Sequence, residues 1–228
     1  MKELILASAS PRRRALLKGL GLSFSVESSA VSETVTDTSN PGKLVEELAR
    51  RKAAAVAAAQ SALLPENKLV IGADTIVVLE GTILGKPQDE GEAHAMLSRL
   101  ADRWHEVFTG VAVVEPSSGH VLSAHECTRV KFRALRDEEI RAYVATGEPM
   151  DKAGAYGVQG RGGLLVERIE GCFYNVVGLP LVKLASLLSV FGFDVWEGGK
   201  SDGGSLPLNH EGAAGGLSSA GTIGSVGG

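Results

Sequence analysis

Residues 69–79, LVIGADTIVVL, constrain this chain more than any other segment. An apolar run of this length, rich in β-branched residues, reads as a strand buried on both faces, the usual centre of a parallel or mixed sheet. Asp74 stands in the middle of it. Aspartate is seldom fully buried unless it is paired or coordinates a metal, because its desolvation must be offset. Asp74 therefore either ends the buried segment and caps a turn, or lines a site at the heart of the fold. The β-branched residues resume at Ile76, which favours the second reading.

The segments before this run carry positive charge towards it. Residues 3–7 read as a short strand, followed by SASPRRR and LLKGLGL. Ser10 suits a helix cap, Pro11 the first helical turn, and Gly19 or Gly21 the stop. A strand, a short turn and a helix start aim free backbone N–H groups at one spot, a ready anion site. Arg12 and Arg13 add two charges beside it. Cations at a helix N-terminus oppose the macrodipole, so an anion there would compensate them; a solvated first turn is the alternative. Residues 23–27 form a second strand, and the polar, turn-rich stretch after it, SSAVSETVTDTSNPG, contains Glu33. Residues 41–61 are helical, with Leu44, Val45, Leu48, Ala49, Ala55, Val56 and Ala59 in one arc. Lys52 falls inside that arc, where it either snorkels to the rim or reaches a buried anionic site.

After the central run, VVLEGTILGKP reads as a β-hairpin turning near Gly81. A three-residue loop sets Lys86 opposite Asp74, and a two-residue loop at Glu80 and Gly81 sets it opposite Thr75. GTILGKP is no P-loop, because it is one residue short between the glycines and has Pro87 where a hydroxyl should hold magnesium. Residues 89–101 are a helix with Asp89 and Glu92 spaced as a capping pair. Strands over about 104–115 and 120–133 follow, then a helix over 137–146 that stops at Gly147. The segment GEPMDKAGAYGVQGRGG places Asp151, Lys152 and Gln159 among glycines that let backbone approach a ligand, although no dinucleotide fingerprint is present. Strand LLVERIEG, the NVVGLP connection and a helix over 180–191 close the folded unit, residues 1–196. Residues 197–228 hold 11 of the 29 glycines and no aromatic residue, and are expected to be a disordered tail.

The 228 residues suit one large domain. A net charge of −4 argues against a nucleic-acid polymer as partner, but not against a small anion in a local cationic pocket. Cys127 and Cys172 stand far apart without metal spacing. With no secretory or membrane-spanning run, a cytoplasmic setting is the expectation. Arg12, Arg13, Lys52, Lys86 and Lys152 supply positive charge, while Asp74 and Glu33 supply carboxylates. That set suits a polyphosphate with a divalent cation, magnesium or manganese, held by hard oxygen ligands. No Cys–His or Ser–His motif supports a covalent acyl mechanism.

Taken together, SASPRRR, the Glu33 loop, GADTIVV, GKP, HEVFTGVAV, GEPMDKAGAYGVQG and NVVGLP resemble the Maf family of nucleoside triphosphate pyrophosphatases, in order over about residues 3–192. The resemblance implies an α/β fold, a largely central, twisted mixed sheet flanked by helices with two lobes around a cleft, similar to the inosine triphosphate pyrophosphatases. It also implies divalent-metal-assisted hydrolysis between the α and β phosphates, and a homodimer. By position, Asp74 matches the family's proton acceptor and Arg12 and Arg13 its phosphate-binding arginines, with Ser8 in the same motif. Glu33, Lys52 and Lys86 match its other charged site residues. Arg12, Thr75 and Gln159 fall at its base-discriminating positions, and Thr75 with AYGVQG resembles the branch acting on dTTP and UTP. A Gln amide suits a pyrimidine 4-oxo group and N3–H because it both donates and accepts. Ala101–Asp102 departs from the pattern, standing where a glycine-containing turn is usual. A nucleotide-binding module without turnover, and a transferase with another acceptor, are the competing readings.

Overall fold

The computed structural model describes residues 2–28, 40–60 and 67–198. Glu33, and the expected tail beyond Gly198, lie outside the described residues. Among those described, the strands are β1 (Glu3–Leu6), β2 (Phe24–Val26), β3 (Lys68–Leu79), β4 (Thr82–Leu84), β5 (Trp104–Glu115), β6 (His120–Phe132) and β7 (Val166–Glu170). They form one mixed sheet in the order β2-β1-β3-β5-β6-β7, with β4 pairing β3. β1 runs parallel to both β2 and β3, while β5 and β6 continue the sheet antiparallel.

The long apolar run is β3, at the middle of the sheet. One of its edges is covered by β5 continuously, from Val70 to Val78. Its other edge is shared: β1 pairs only as far as Ile71, and β4 takes over at Val77. Among the described residues, 72–76 lie between these two partners without a neighbouring strand on that side. The central strand therefore opens onto a gap at Asp74 and Thr75.

Helix α1 (Pro11–Gly19) follows β1, and Ser10 caps it by accepting from the Arg13 backbone N–H. Helix α2 (Pro41–Gln60) lies along one face of the sheet. There Leu44, Val45 and Leu48 pack with Ile76 and Val78, and Ala53, Val56 and Ala57 with Ile5 and Val70. A Cβ at Gly72 or Gly110 would run into the α2 backbone, so these glycines are what let helix and sheet touch. The expected arc needs one correction. Ala59 is exposed and Ala55 only half-buried, while Ala53 and Ala57 are buried. A fixed helical stripe cannot stay in contact with a sheet that twists beneath it.

The opposite face carries α3 (Glu90–Leu100), α4 (Asp137–Val144), α5 (Phe173–Val177) and α6 (Leu181–Val190), with α7 (Val195–Gly198) at the end. Leu69, Ile71, Ala73, Val111 and Val113 of the sheet form one core with residues of α1 and α6. Val77, Leu79, Val107, Val130 and Phe132 form another with residues of α3 and α4. On β3 the two cores part at Thr75, which gives the molecule its two lobes. The five-residue α5 was not legible as a helix. α7 runs past the expected limit at residue 196.

The β3–β4 hairpin turns at two residues, Glu80 and Gly81, with φ of 50° and 75°. Two positive φ values are what a two-residue type I′ turn requires. The pairing Val77 with Leu84, continued beyond the ladder, sets Lys86 level with Thr75 and not Asp74. At the atypical Ala101–Asp102 turn, Asp102 takes the left-handed conformation itself, φ 54°, and pairs with Lys131 at 2.5 Å.

Candidate active site

The β1–α1 loop, the exposed edge of β3, α2, the β4 end and the glycine-rich segment surround one cavity of about 620 Å³, a size typical of small-ligand sites. Asp74 is 7% exposed and sits inside an unbroken strand, so the turn-cap reading is excluded. Its strand neighbour is Gly110, which offers no side chain. The carboxylate is reached instead from α2: Lys52 Nζ donates to Asp74 Oδ1 at 2.6 Å. The lysine on the core-facing side of α2 thus reaches inward and does not snorkel. Among the described residues, Lys52 is the only hydrogen-bond partner of that carboxylate.

Thr75, one residue on, points to the other face. Arg13 ties that side together, donating from Nε to Gly178 O at 2.7 Å, from Nη1 to Ser8 Oγ at 3.1 Å and from Nη2 to Thr75 Oγ1 at 3.1 Å. Ser8 Oγ also accepts from the Ser10 N–H. Arginine suits such a bracket because its donors form a rigid planar fork. Arg13 therefore joins the β1–α1 loop, β3 and the α5–α6 connection.

The glycine-rich segment closes the far wall with three short 3₁₀ turns, at Glu148–Asp151, Ala153–Ala155 and Gly160–Leu165. Glu148 clasps its two ends. Its carboxylate accepts from the Tyr143 hydroxyl and from the backbone N–H groups of Arg161 and Gly162. Burial alone would raise the Glu148 pKa, but these donors hold it below the usual carboxylate range. Asp151 spans the cleft, accepting from Arg12 Nη1 at 3.2 Å and Lys152 Nζ at 2.6 Å. Burial opposes its ionisation too, and the Lys152 bond and the Arg12 charge outweigh it, so its pKa is lowered. Lys152 also donates to the Glu148 carbonyl, so its ammonium is folded against its own loop. Underneath, His105 Nε2 meets the Tyr156 hydroxyl at 2.7 Å. Burial pushes the His105 pKa down to about 4, so this support is neutral at neutral pH.

Ser8, Arg12, Arg13, Lys52, Asp74 and Thr75 all line this cavity, as do Lys86, Lys152 and Gln159. Of the expected site residues only Glu33 is not placed, being outside the described residues. Five cationic side chains (Arg12, Arg13, Lys52, Lys86 and Lys152) face two carboxylates (Asp74 and Asp151), an excess that attracts a polyanion. Sequence reasoning did not single out Thr109, Asn175 and Glu148. A threonine inside the apolar strand segment VFTGVAV is the kind of signal that finds the first.

Comparisons with known proteins identify the family. A family model described as Maf-like protein matches residues 3–191. The dTTP/UTP pyrophosphatase of Pelotomaculum thermopropionicum is 55% identical over 195 residues, covering 86% of this chain and all of the relative. That of Moorella thermoacetica is 54% identical over 196 residues, covering 86% and 98%. Among solved structures, the Staphylococcus aureus Ham1 protein overlaps 57% of this chain and 72% of its own, at 20% identity and a TM-score of 0.41. An overlap so partial bears on neither site nor chemistry.

Proposed function

The chain belongs to the Maf family, and we propose that it hydrolyses dTTP and UTP between the α and β phosphates, giving the nucleoside monophosphate and pyrophosphate. The observation that carries this reading is the Asp74–Lys52 pair, 2.6 Å apart where β3 passes between its β1 and β4 pairings, in a cavity with excess positive charge.

Asp74 acts in this reading as proton acceptor. Lys52 holds Oδ1, so the second carboxylate oxygen orients the attacking water and takes its proton as the water adds to the α phosphorus. The Lys52 ammonium gives that largely buried carboxylate its charge partner. The leaving pyrophosphate gains charge, which Arg12, Lys86 and Lys152 meet without reorganisation of solvent. Arg12 and Lys152 exchange the Asp151 carboxylate for phosphate oxygens when substrate arrives. Arg13 and Ser8 frame the phosphate side, and Gln159 and Thr75 meet the base.

A divalent cation fits this donor set. Among the described residues no group of three His, Cys, Asp or Glu forms an all-protein cage. One or two carboxylates plus phosphate oxygens and water are what magnesium usually takes. We assign it to Asp74 and Glu33; when bound it neutralises charge on the triphosphate oxygens. Among the described residues no helix is long and apolar enough to cross a membrane. A catalytic unit over residues 1–196, a cytoplasmic setting and a homodimer belong to the same proposal, the last tested by sedimentation of the purified protein.

Incubating dTTP with protein and magnesium and separating the products tests the function. dTMP and pyrophosphate are expected. dTDP and phosphate would overturn the reaction assigned, and binding without turnover would make the protein a nucleotide-binding module.

A further inference from the structure

Beneath Thr75 runs a chain of buried hydrogen bonds whose direction can be worked out donor by donor. Thr75 Oγ1 lies 2.9 Å from Thr109 Oγ1, its cross-strand neighbour on β5. Thr109 Oγ1 lies 2.9 Å from the carbonyl oxygen of Asn175 on α5. Thr109 and Asn175 are both 0% exposed, so water does not compete. A carbonyl only accepts, and a hydroxyl has one proton to give. Thr109 therefore donates to Asn175, and the proton between the two threonines belongs to Thr75. On the other side Arg13, which only donates, gives Thr75 an N–H. With its proton directed inward and one lone pair taken by Arg13, Thr75 offers the cavity an acceptor and no donor. Asn175 is itself held, its Nδ2 donating to Val107 O at 2.8 Å and Thr128 Oγ1 at 2.9 Å, so the chain does not reverse.

This polarity bears on how a pyrimidine is read. Thymine and uracil present an N3–H donor beside a 4-oxo acceptor, whereas cytosine presents an N3 acceptor beside a 4-amino donor. The Gln159 amide has no hydrogen-bond partner among the described residues, and an amide satisfies either pattern by turning over. Gln159 alone thus discriminates weakly. A hydroxyl that cannot turn would discriminate, because cytosine N3 would meet a lone pair and leave both unpaired. We propose that Thr109 is a positioning residue for base specificity: it fixes the Thr75 hydroxyl as an acceptor for the N3–H of thymine and uracil, and so excludes cytosine. This rests on the proposed reading that Thr75 and Gln159 meet the base.

The test compares kcat/KM for dTTP and dCTP in the wild type, Thr109→Val and Thr109→Ser. Valine keeps the volume but removes the acceptor, freeing Thr75 to donate to cytosine. The dTTP-to-dCTP ratio is expected to fall by about tenfold, the scale of one hydrogen bond of about 1.4 kcal/mol, mainly through faster dCTP turnover. Thr109→Ser keeps the hydroxyl and should restore the ratio. An unchanged ratio in Thr109→Val, or a serine variant no better than valine, overturns the proposal. N3-methyl-dTTP with the wild-type enzyme gives a reading that needs no variant to fold. It should be turned over at least about tenfold less efficiently than dTTP, for the same lost bond, and equal turnover contradicts the assignment. Wild-type failure on dTTP itself would instead remove the proposed function, so the two failures are distinct.

Discussion

On the α2 side of β3, Asp74 is held by one ammonium, Lys52 at 2.6 Å. On the opposite side, one residue along, Thr75 is held by Arg13 and by a buried chain through Thr109 to Asn175. A single ion pair fixes charge but little direction, because attraction to a compact ammonium falls off gradually around it. That suits the proton-accepting role proposed for Asp74. Neutral hydroxyls fix direction, since each proton has one destination. That suits the base-reading role proposed for Thr75. The gap between β1 and β4 lets adjacent residues of one strand, facing opposite ways, serve one cavity.

The largest way to break this contrast is at the charged face. Asp74→Asn is expected to bind dTTP, by equilibrium dialysis, but to lose at least about a hundredfold in kcat, the scale of a lost general base. Near-normal turnover would remove Asp74 from the mechanism. Acid should strike the neutral face next. His105 has a folded pKa of about 4 against an ordinary 6.5, so below 6.5 the unfolded chain binds a proton that the folded one does not. The contribution is complete above pH 6.5 and lost as pH falls towards 4, about 3 kcal/mol in all. Denaturant melts at pH 7 and pH 4.5 measure it, and His105→Gln should flatten the difference. Gly110→Ala presses a methyl into α2 beside Asp74 and should cost about 1–3 kcal/mol of stability, the usual range for overpacking, read as a lower Tm. The smallest effect belongs to Gln159→Ala, which should narrow the preference for dTTP over dCTP severalfold, one neutral hydrogen bond or less, while changing kcat less. An unchanged ratio would count against its reading role.

What the sequence revealed divides along the same line. The charged face was largely legible, because its signals are compositional: a carboxylate in an apolar strand, a lysine in an apolar helical arc. The Ser10 cap and Pro11 start of α1 were legible as local chemistry. Which turn joins β3 to β4 was not, since a glycine at 81 satisfies both a two- and a three-residue loop, and the choice moves Lys86 by one position. The hydroxyl chain was hidden because its links join residues 34 and 66 positions apart, where no periodicity applies. α5 escaped notice because five residues hold too few turns for a helical pattern to show.

The central claim is that the two faces of β3 act independently, chemistry on one and base reading on the other. A double-mutant cycle with Asp74→Asn and Thr109→Val, measuring kcat on dTTP and the dTTP-to-dCTP ratio in all four proteins, tests it directly. The account predicts additivity: Asp74→Asn lowers kcat by the same factor in both backgrounds, and Thr109→Val lowers the ratio by the same factor in both, within about twofold. A coupling of about tenfold or more in either quantity would mean that the faces are one unit, and would contradict the account.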